Sequence, residues 1–214
     1  MNSKAERKII LFQGDSITDA LRIREDEENL GMGYPAFTAG ELGVAYPGQF
    51  LAYNRGVSGN RVVDLYARIK KDIINLHPDY LSILIGINDV WHEVGERNGV
   101  DAEKYGRIYQ MLVEEVKEAL PEVKIMILEP FVLKASATIG QWDTFRIETG
   151  KRAGQARQVA ERNGLLFIPL QERFDEAART APEDFWLRDG VHPTPAGHAL
   201  IKDAWMEGFR SHFR

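Results

Sequence analysis

The sequence predicts an α/β fold in which a parallel sheet of five strands is covered by helices on both faces. Three observations carry that prediction. Short apolar runs recur with little polar alternation, as in strands buried on both sides. Longer segments with a helical apolar stripe lie between them, so strand and helix alternate. Residues suited to chemistry follow the strands directly, at the sheet edge where parallel folds bind ligands.

The elements follow in order. The first strand is "KIILF", 8–12, and it runs into Gly14-Asp15-Ser16. The second is "FLAYN", 50–54, followed by "NRGVSGN" with Gly56 and Gly59. Val62, Leu65, Tyr66, Ile69, Ile73 and Leu76 then keep one helical stripe. The third strand, "YLSILIG" at 80–86, leads into "GIND", Gly86 to Asp89. Tyr105, Ile108, Tyr109, Leu112, Val116 and Leu120 form a second stripe before the fourth strand, "KIMIL" at 124–128. The long segment 129–145, "EPFVLKASATIGQWDTF", reads either as a pocket wall or as packing against the core or a neighbouring subunit. A further helix is expected from about Thr144 to Asn163, ended by Asn-Gly, before the fifth strand, "LLFIPL" at 165–170. "DGVHP", Asp189 to Pro193, precedes a last helix with Thr194 as N-cap and Pro195 in its first turn. Its buried stripe is expected to include Leu200, Ile201, Ala204, Trp205 and Phe209. With no repeat, biased tract or Ser/Gly-rich linker, residues 1–214 read as one domain.

Composition narrows the function. The chain is 44% hydrophobic and 28% charged, as in ordinary globular proteins, and its net charge is −5. That balance, without a basic stripe, argues against nucleic acid and against anionic membrane surfaces as partners. The absence of cysteine removes disulfides, thiolate nucleophiles and Cys-ligated metals. The five histidines show no paired ligand spacing, and "GDSITD" lacks the Gly-Lys of a phosphate-binding loop, so neither a metal nor a cofactor is expected. The apolar run at the N-terminus is too short for a signal core or a span, which makes cytoplasm the expected compartment.

Acyl transfer needs four parts. A serine hydroxyl needs a base, histidine suits that task, a carboxylate must fix the imidazole tautomer, and donors must face the developing oxyanion. Ser16 can be the nucleophile, His192 the base and Asp189 its orienter, with two residues between the last two. Donors can be the backbone N–H groups of Ser16 and Gly59 and the side-chain amide of Asn88. Asp15 and Asp89 are read as braces that accept backbone N–H groups, with Asp15 also counted among substrate-binding candidates beside Trp91 and His92. His198 is expected to be structural or at the surface, and His77 and His212 at the surface.

Singly, each part has an ordinary reading. Ser16 can cap a helix, the glycines can serve turns, Asn88-Asp89 can form an Asx-turn, and Asp189-Gly190 is a turn signal. It is their order along the chain, each at the predicted sheet rim, that points to chemistry.

That order, Gly-Asp-Ser, then Gly, then Gly-x-Asn-Asp, then Asp-x-x-His, resembles the SGNH (GDSL) hydrolases from Gly14 to His198. Within them, "FQGDSITDA", "RGVSGNRVVDL", "IGINDVWHE" and "DGVHPTPAGH" look most like the acetylxylan esterase and carbohydrate acetylesterase branch. Ile17 stands where the family usually has Leu, a change that touches no catalytic atom. The resemblance implies a flavodoxin-like three-layer α/β/α sandwich and metal-free hydrolysis of esters or thioesters. Ser16, Gly59, Asn88 and His192 match the four signature residues and Asp189 the triad acid. The expected substrate is a small-molecule or oligosaccharide ester carrying a short acyl group, acetyl above all. Alternatives are a longer-acyl esterase, a thioesterase or a lysophospholipase, and, in another class, a non-catalytic carbohydrate-binding module. Surface segments bearing Trp and Phe leave room for a homo-oligomer.

Overall fold

A computed structural model describes residues 7–213. Lys8–Gly14 (β1), Phe50–Asn54 (β2), Tyr80–Leu84 (β3), Lys124–Leu128 (β4) and Leu166–Ile168 (β5) pair in parallel in the order β2-β1-β3-β4-β5. The chain steps outward from β1 to β2, then crosses back to lay β3 on the other side of β1. The carboxyl ends of β1 and β3 therefore flank the point where strand order reverses, and a crevice opens there.

The helices divide between the two faces because successive strand residues point opposite ways. Ile10 and Phe12 of β1 and Met126 and Leu128 of β4 join one buried cluster, with Tyr34 and Leu42 of Tyr34–Ala45 (α2, following the short α1, Ser16–Asp19). Leu11, Leu81, Ile83, Ile125 and Ile127 face the other cluster. There they meet Val62–Ala67 (α3), which continues through Ile69–Asp72 (α4), and, beyond Ile87–Glu96 (α5), the long helices Ala102–Ala119 (α6) and Trp142–Asn163 (α7). After β5 come Gln171–Ala177 (α8), Glu183–Trp186 (α9) and Pro195–His212 (α10), and α10 packs on α2 over the first cluster. Trp205 of α10 is fully buried there and donates its indole N–H to Ser82 Oγ of β3 at 3.0 Å, which satisfies both polar groups inside an apolar layer. The result is the expected three-layer α/β/α sandwich. No helix among the described residues is long and apolar enough to cross a membrane.

Three differences from the sequence reading are physical. The stripe 62–76 is one face but not one helix: it breaks at Arg68 and Ile73, and a 3-10 turn, Ile74–Leu76, completes it. The break leaves Leu65, Ile69 and Ile73 buried on the same side, so periodicity does not register it. The third strand ends at Leu84 rather than Gly86, and Asn88 and Asp89 sit in the first turn of α5, not in a loop. Helix α2 had no sequence signal: "YPAFTAGELGVA" carries two glycines and a proline, and what holds it is its packing on α10.

Candidate active site

β1 ends where the chain must pass close to β3. A Cβ on Gly14 would lie 2.3 Å from the Leu84 carbonyl oxygen and 2.4 Å from Thr18 Oγ1, so only glycine fits. Asp15 then caps α1, its Oδ1 accepting the Ile17 N–H at 2.9 Å, and Ser16 opens the helix at the sheet rim. Asp15 is 1% exposed beneath this turn and lines neither arm of the cleft, so it braces the serine rather than contacting a substrate.

His192 comes to Ser16 from the other end of the chain. Ser16 Oγ stands 3.0 Å from His192 Nε2, and His192 Nδ1 stands 2.6 Å from Asp189 Oδ2. Asp189 Oδ1 accepts the backbone N–H groups of Val191 and His192 at 2.9 and 2.8 Å, so the loop folds around its own carboxylate. Burial works against the charged form of Asp189, but the His192 ring and these two N–H donors outweigh it and lower its pKa to about 2. In return the Asp189 hydrogen bond raises the His192 pKa, against burial. Segment 129–145 clamps this loop from outside: Leu133 N–H donates to Gly190 O and Ala137 N–H to Asp189 O, each at 2.9 Å. Its Phe131, Val132 and Leu133 lie in the core, and Phe145 meets Trp91 edge-on at 6.1 Å, so packing is its main role.

The third contribution follows β2. Gly59 has φ +83°, a left-handed conformation that other residues rarely adopt, and it shares the narrower arm with Ser16 and Asn88. Its loop is tied to α1 by Asp19, a residue the sequence reading passed over. Asp19 is 4% exposed, and its Oδ2 accepts the Ser58 N–H, the Ser58 hydroxyl and an Arg24 N–H at 3.1, 3.0 and 3.0 Å. Arg68 braces the same rim by donating to Gly14 O at 3.2 Å and Arg55 O at 2.8 Å.

The fourth follows β3. Asn88 is 6% exposed and donates one amide hydrogen to Asn60 O at 3.1 Å, which leaves the other free to face the narrower arm. Asp89 behind it is fully buried and accepts the Val62 N–H on both oxygens, at 3.1 and 3.2 Å, joining α5 to α3. Burial raises the pKa of Asp15 to about 7 and of Asp89 to about 8. Both are braces, and at neutral pH Asp89 is mostly protonated while Asp15 is about half so.

Two arms meet at Ser16, Ser58 and His192. The narrower, about 340 Å³, is lined by Gly59, Asn88, Trp91 and His92, and the Trp91 ring stands 5.7 Å from the His192 ring. The wider, about 520 Å³, runs along the His192 loop, with walls from Leu21, Met32, Arg188, Pro193 and His198. His198 is buried and accepts the Tyr34 N–H on Nδ1 at 3.2 Å, the structural role expected of it, while His77 and His212 are exposed. Leu21, Met32 and Arg188 had no signal in the sequence, because their neighbours come from distant segments.

A five-stranded parallel sheet with these groups at its carboxyl edge defines an SGNH-type carboxylic ester hydrolase. The GDSL-like lipase/acylhydrolase family pattern matches residues 12–200. The chain is 36% identical to an acetylxylan esterase of Geobacillus stearothermophilus over 207 residues, 92% of this chain and 91% of that protein. Among solved structures it resembles a GDSL-like lipase from Parabacteroides merdae, with TM-score 0.90 and 38% identity over 94% of this chain and 96% of the other. It also resembles a catalytic mutant of an acetylxylan esterase from Geobacillus stearothermophilus, with TM-score 0.87 and 32% identity over 99% and 98% of the two chains. The chain belongs to the GDSL-like lipase/acylhydrolase family. The reading as a non-catalytic binding module gives way to that membership.

Proposed function

We propose that this chain, acting as one domain, is a serine esterase that removes short acyl groups, acetyl first, from carbohydrate esters. The observation that carries the reading is the hydrogen-bonded line from Ser16 Oγ through the His192 ring to Asp189, at 3.0 and 2.6 Å. With Nδ1–H held by Asp189, the Nε2 lone pair is free to take the Ser16 proton as Oγ attacks the ester carbonyl. The carbonyl oxygen becomes an oxyanion, facing the N–H groups of Ser16 and Gly59 and the free Asn88 amide hydrogen. Collapse expels the alcohol, which takes its proton from His192. Water, activated by the same imidazole, then releases the acid and restores Ser16.

The oxyanion donors Gly59 and Asn88 line only the narrower arm, which suits a small acyl group against Trp91 and His92. The wider arm follows the His192 loop, on the side from which the leaving oxygen must be protonated, so it takes the alcohol. The acetylxylan esterase relative supports a saccharide there. A longer acyl chain is the second reading, favoured by Leu21 and Met32, which are 80% and 70% exposed on the wider arm. Rates over 4-nitrophenyl esters from acetate to octanoate separate the two. The decisive experiment is Ser16→Ala on 4-nitrophenyl acetate: loss of turnover in a folded protein supports the mechanism, and an undiminished rate refutes it.

A further inference from the structure

The wider arm contains two side chains with hydrogen-bond donors to spare, Arg188 and His198. Arg188 immediately precedes Asp189, and its backbone N–H donates to His192 O at 3.0 Å, which sets the residue on the arm's wall. Its guanidinium forms no ion pair among the described residues and meets protein only through a long bond to Pro193 O, at 3.4 Å. His198, in the first turns of α10, lines the same arm and is 7% exposed. Because its Nδ1 accepts the Tyr34 N–H, the ring proton must sit on Nε2. Burial, followed by the Arg188 charge, lowers its pKa to about 4, so the ring stays a neutral donor at working pH. No acceptor for Nε2–H occurs among the described residues.

Acceptors are scarce on the same wall. Asp189 is the one carboxylate lining the wider arm, and both its oxygens are taken by the His192 loop. Arg188, His192 and His198 line this same arm, and the Arg188 charge disfavours protonation of both rings. A cation held without a counter-charge, beside a fixed neutral donor, is complementary to an anion brought by the ligand.

We propose that the wider arm is a carboxylate subsite. Arg188, with His198 Nε2–H beside it, receives a carboxylate carried by the alcohol half of the ester, so acetylated saccharides bearing a uronic acid are preferred over neutral ones. The inference rests on the esterase reading above, since it takes the wider arm as the leaving-group side. One guanidinium fork plus one neutral donor matches a monoanionic carboxylate; a phosphate dianion calls for a second cation, and the lining of this arm supplies none.

Binding to the wild-type protein tests the subsite without turnover. Glucuronate and glucose differ only in the carboxylate, and titrations followed by NMR should show glucuronate at least about tenfold tighter, a preference that Arg188→Gln removes. Equal affinities overturn the proposal. Glucose 6-phosphate binding tighter than glucuronate overturns it too, by assigning the arm to phosphate. A kinetic arm compares kcat/KM for 3-carboxyphenyl acetate with that for phenyl acetate. The ratio should fall about tenfold in Arg188→Gln and further in Arg188→Glu, each first shown to be folded by circular dichroism. A ratio unmoved by Arg188→Gln defeats the subsite while Ser16-dependent hydrolysis of phenyl acetate leaves the esterase reading standing. Glucuronate held through Arg188 by a protein that hydrolyses neither ester defeats the esterase reading and upholds the subsite.

Discussion

Replacing Asp189 by Asn separates the carboxylate's two tasks. Oδ1 serves the loop, through the Val191 and His192 N–H groups, and Oδ2 serves the ring. An asparagine with its oxygen in the Oδ1 place keeps both backbone bonds, so its NH₂ then faces Nδ1. The ring nitrogen must accept, the imidazole proton moves to Nε2, and Nε2–H now confronts Ser16 Oγ at 3.0 Å, unable to take its proton. Turnover should fall by roughly 10³–10⁴. The stability loss should be small by comparison. Asp189 is 24% exposed and its pKa is lowered from 3.8 to about 2, which corresponds to roughly 2 kcal/mol. That contribution is present above pH 3.8 and lost as pH falls through about 2, so at neutral pH the variant forfeits it and still folds.

The pH dependence supplies the sharper readout. The active base is neutral His192, whose pKa the Asp189 hydrogen bond raises above 6.5. Wild-type kcat/KM should therefore rise with pH through a midpoint above 6.5. In Asp189→Asn the raising influence is gone and burial still lowers the ring's pKa, so the midpoint should move down. Initial rates on 4-nitrophenyl acetate from pH 5 to 9, with a melting curve for each protein, measure both effects. A variant within tenfold of wild type, with its midpoint unmoved, would refute the tautomer argument.

Asn88→Ala should reduce kcat by about 10²–10³ with KM nearly unchanged, because the amide works on the oxyanion and not on the ground state; an effect confined to KM would contradict that. Asp19→Ala removes the acceptor of the Ser58 N–H and hydroxyl, so melting should report a loss of about 1–3 kcal/mol. It should also lower kcat by about tenfold, an estimate from small displacements of a catalytic donor, here Gly59; an unchanged kcat would confine Asp19 to stability. Asp89→Asn concerns pH. The folded protein keeps the Asp89 proton up to about pH 8 and the unfolded chain releases it near 3.8, so stability falls by up to about 1.4 kcal/mol per pH unit between them. The asparagine variant should lose less stability than wild type from pH 5 to 8, with Asp15 retaining a slope of its own up to about 7. Parallel melting curves for the two proteins would show that Asp89 is ionised in the fold.

The parts of the site that were legible in the sequence share a cause. Ser16, Gly59, Asn88 and His192 each follow a strand or precede a helix, and those boundaries are local features that apolar runs and turn residues report. What brings the four together is the strand order, and a parallel sheet places all its strand ends on one edge whatever that order is. Strand ends therefore disclose a site before the topology is known. The walls around it have no such projection onto the chain. Asp19 meets Ser58 across 39 residues and His198 meets Tyr34 across 164, in pairings that exist only once β1 lies between β2 and β3 and α10 has packed on α2. Helix α2 failed to show for the same reason, since its glycines and proline oppose helix locally and its partner lies 150 residues on. The chemical step is thus written at element ends, where sequence is informative, and substrate selection on surfaces assembled by topology. Arg188 shows how narrow the divide is: it adjoins the acid of the proposed triad, yet only the structure shows that its charge lacks a partner and faces the arm.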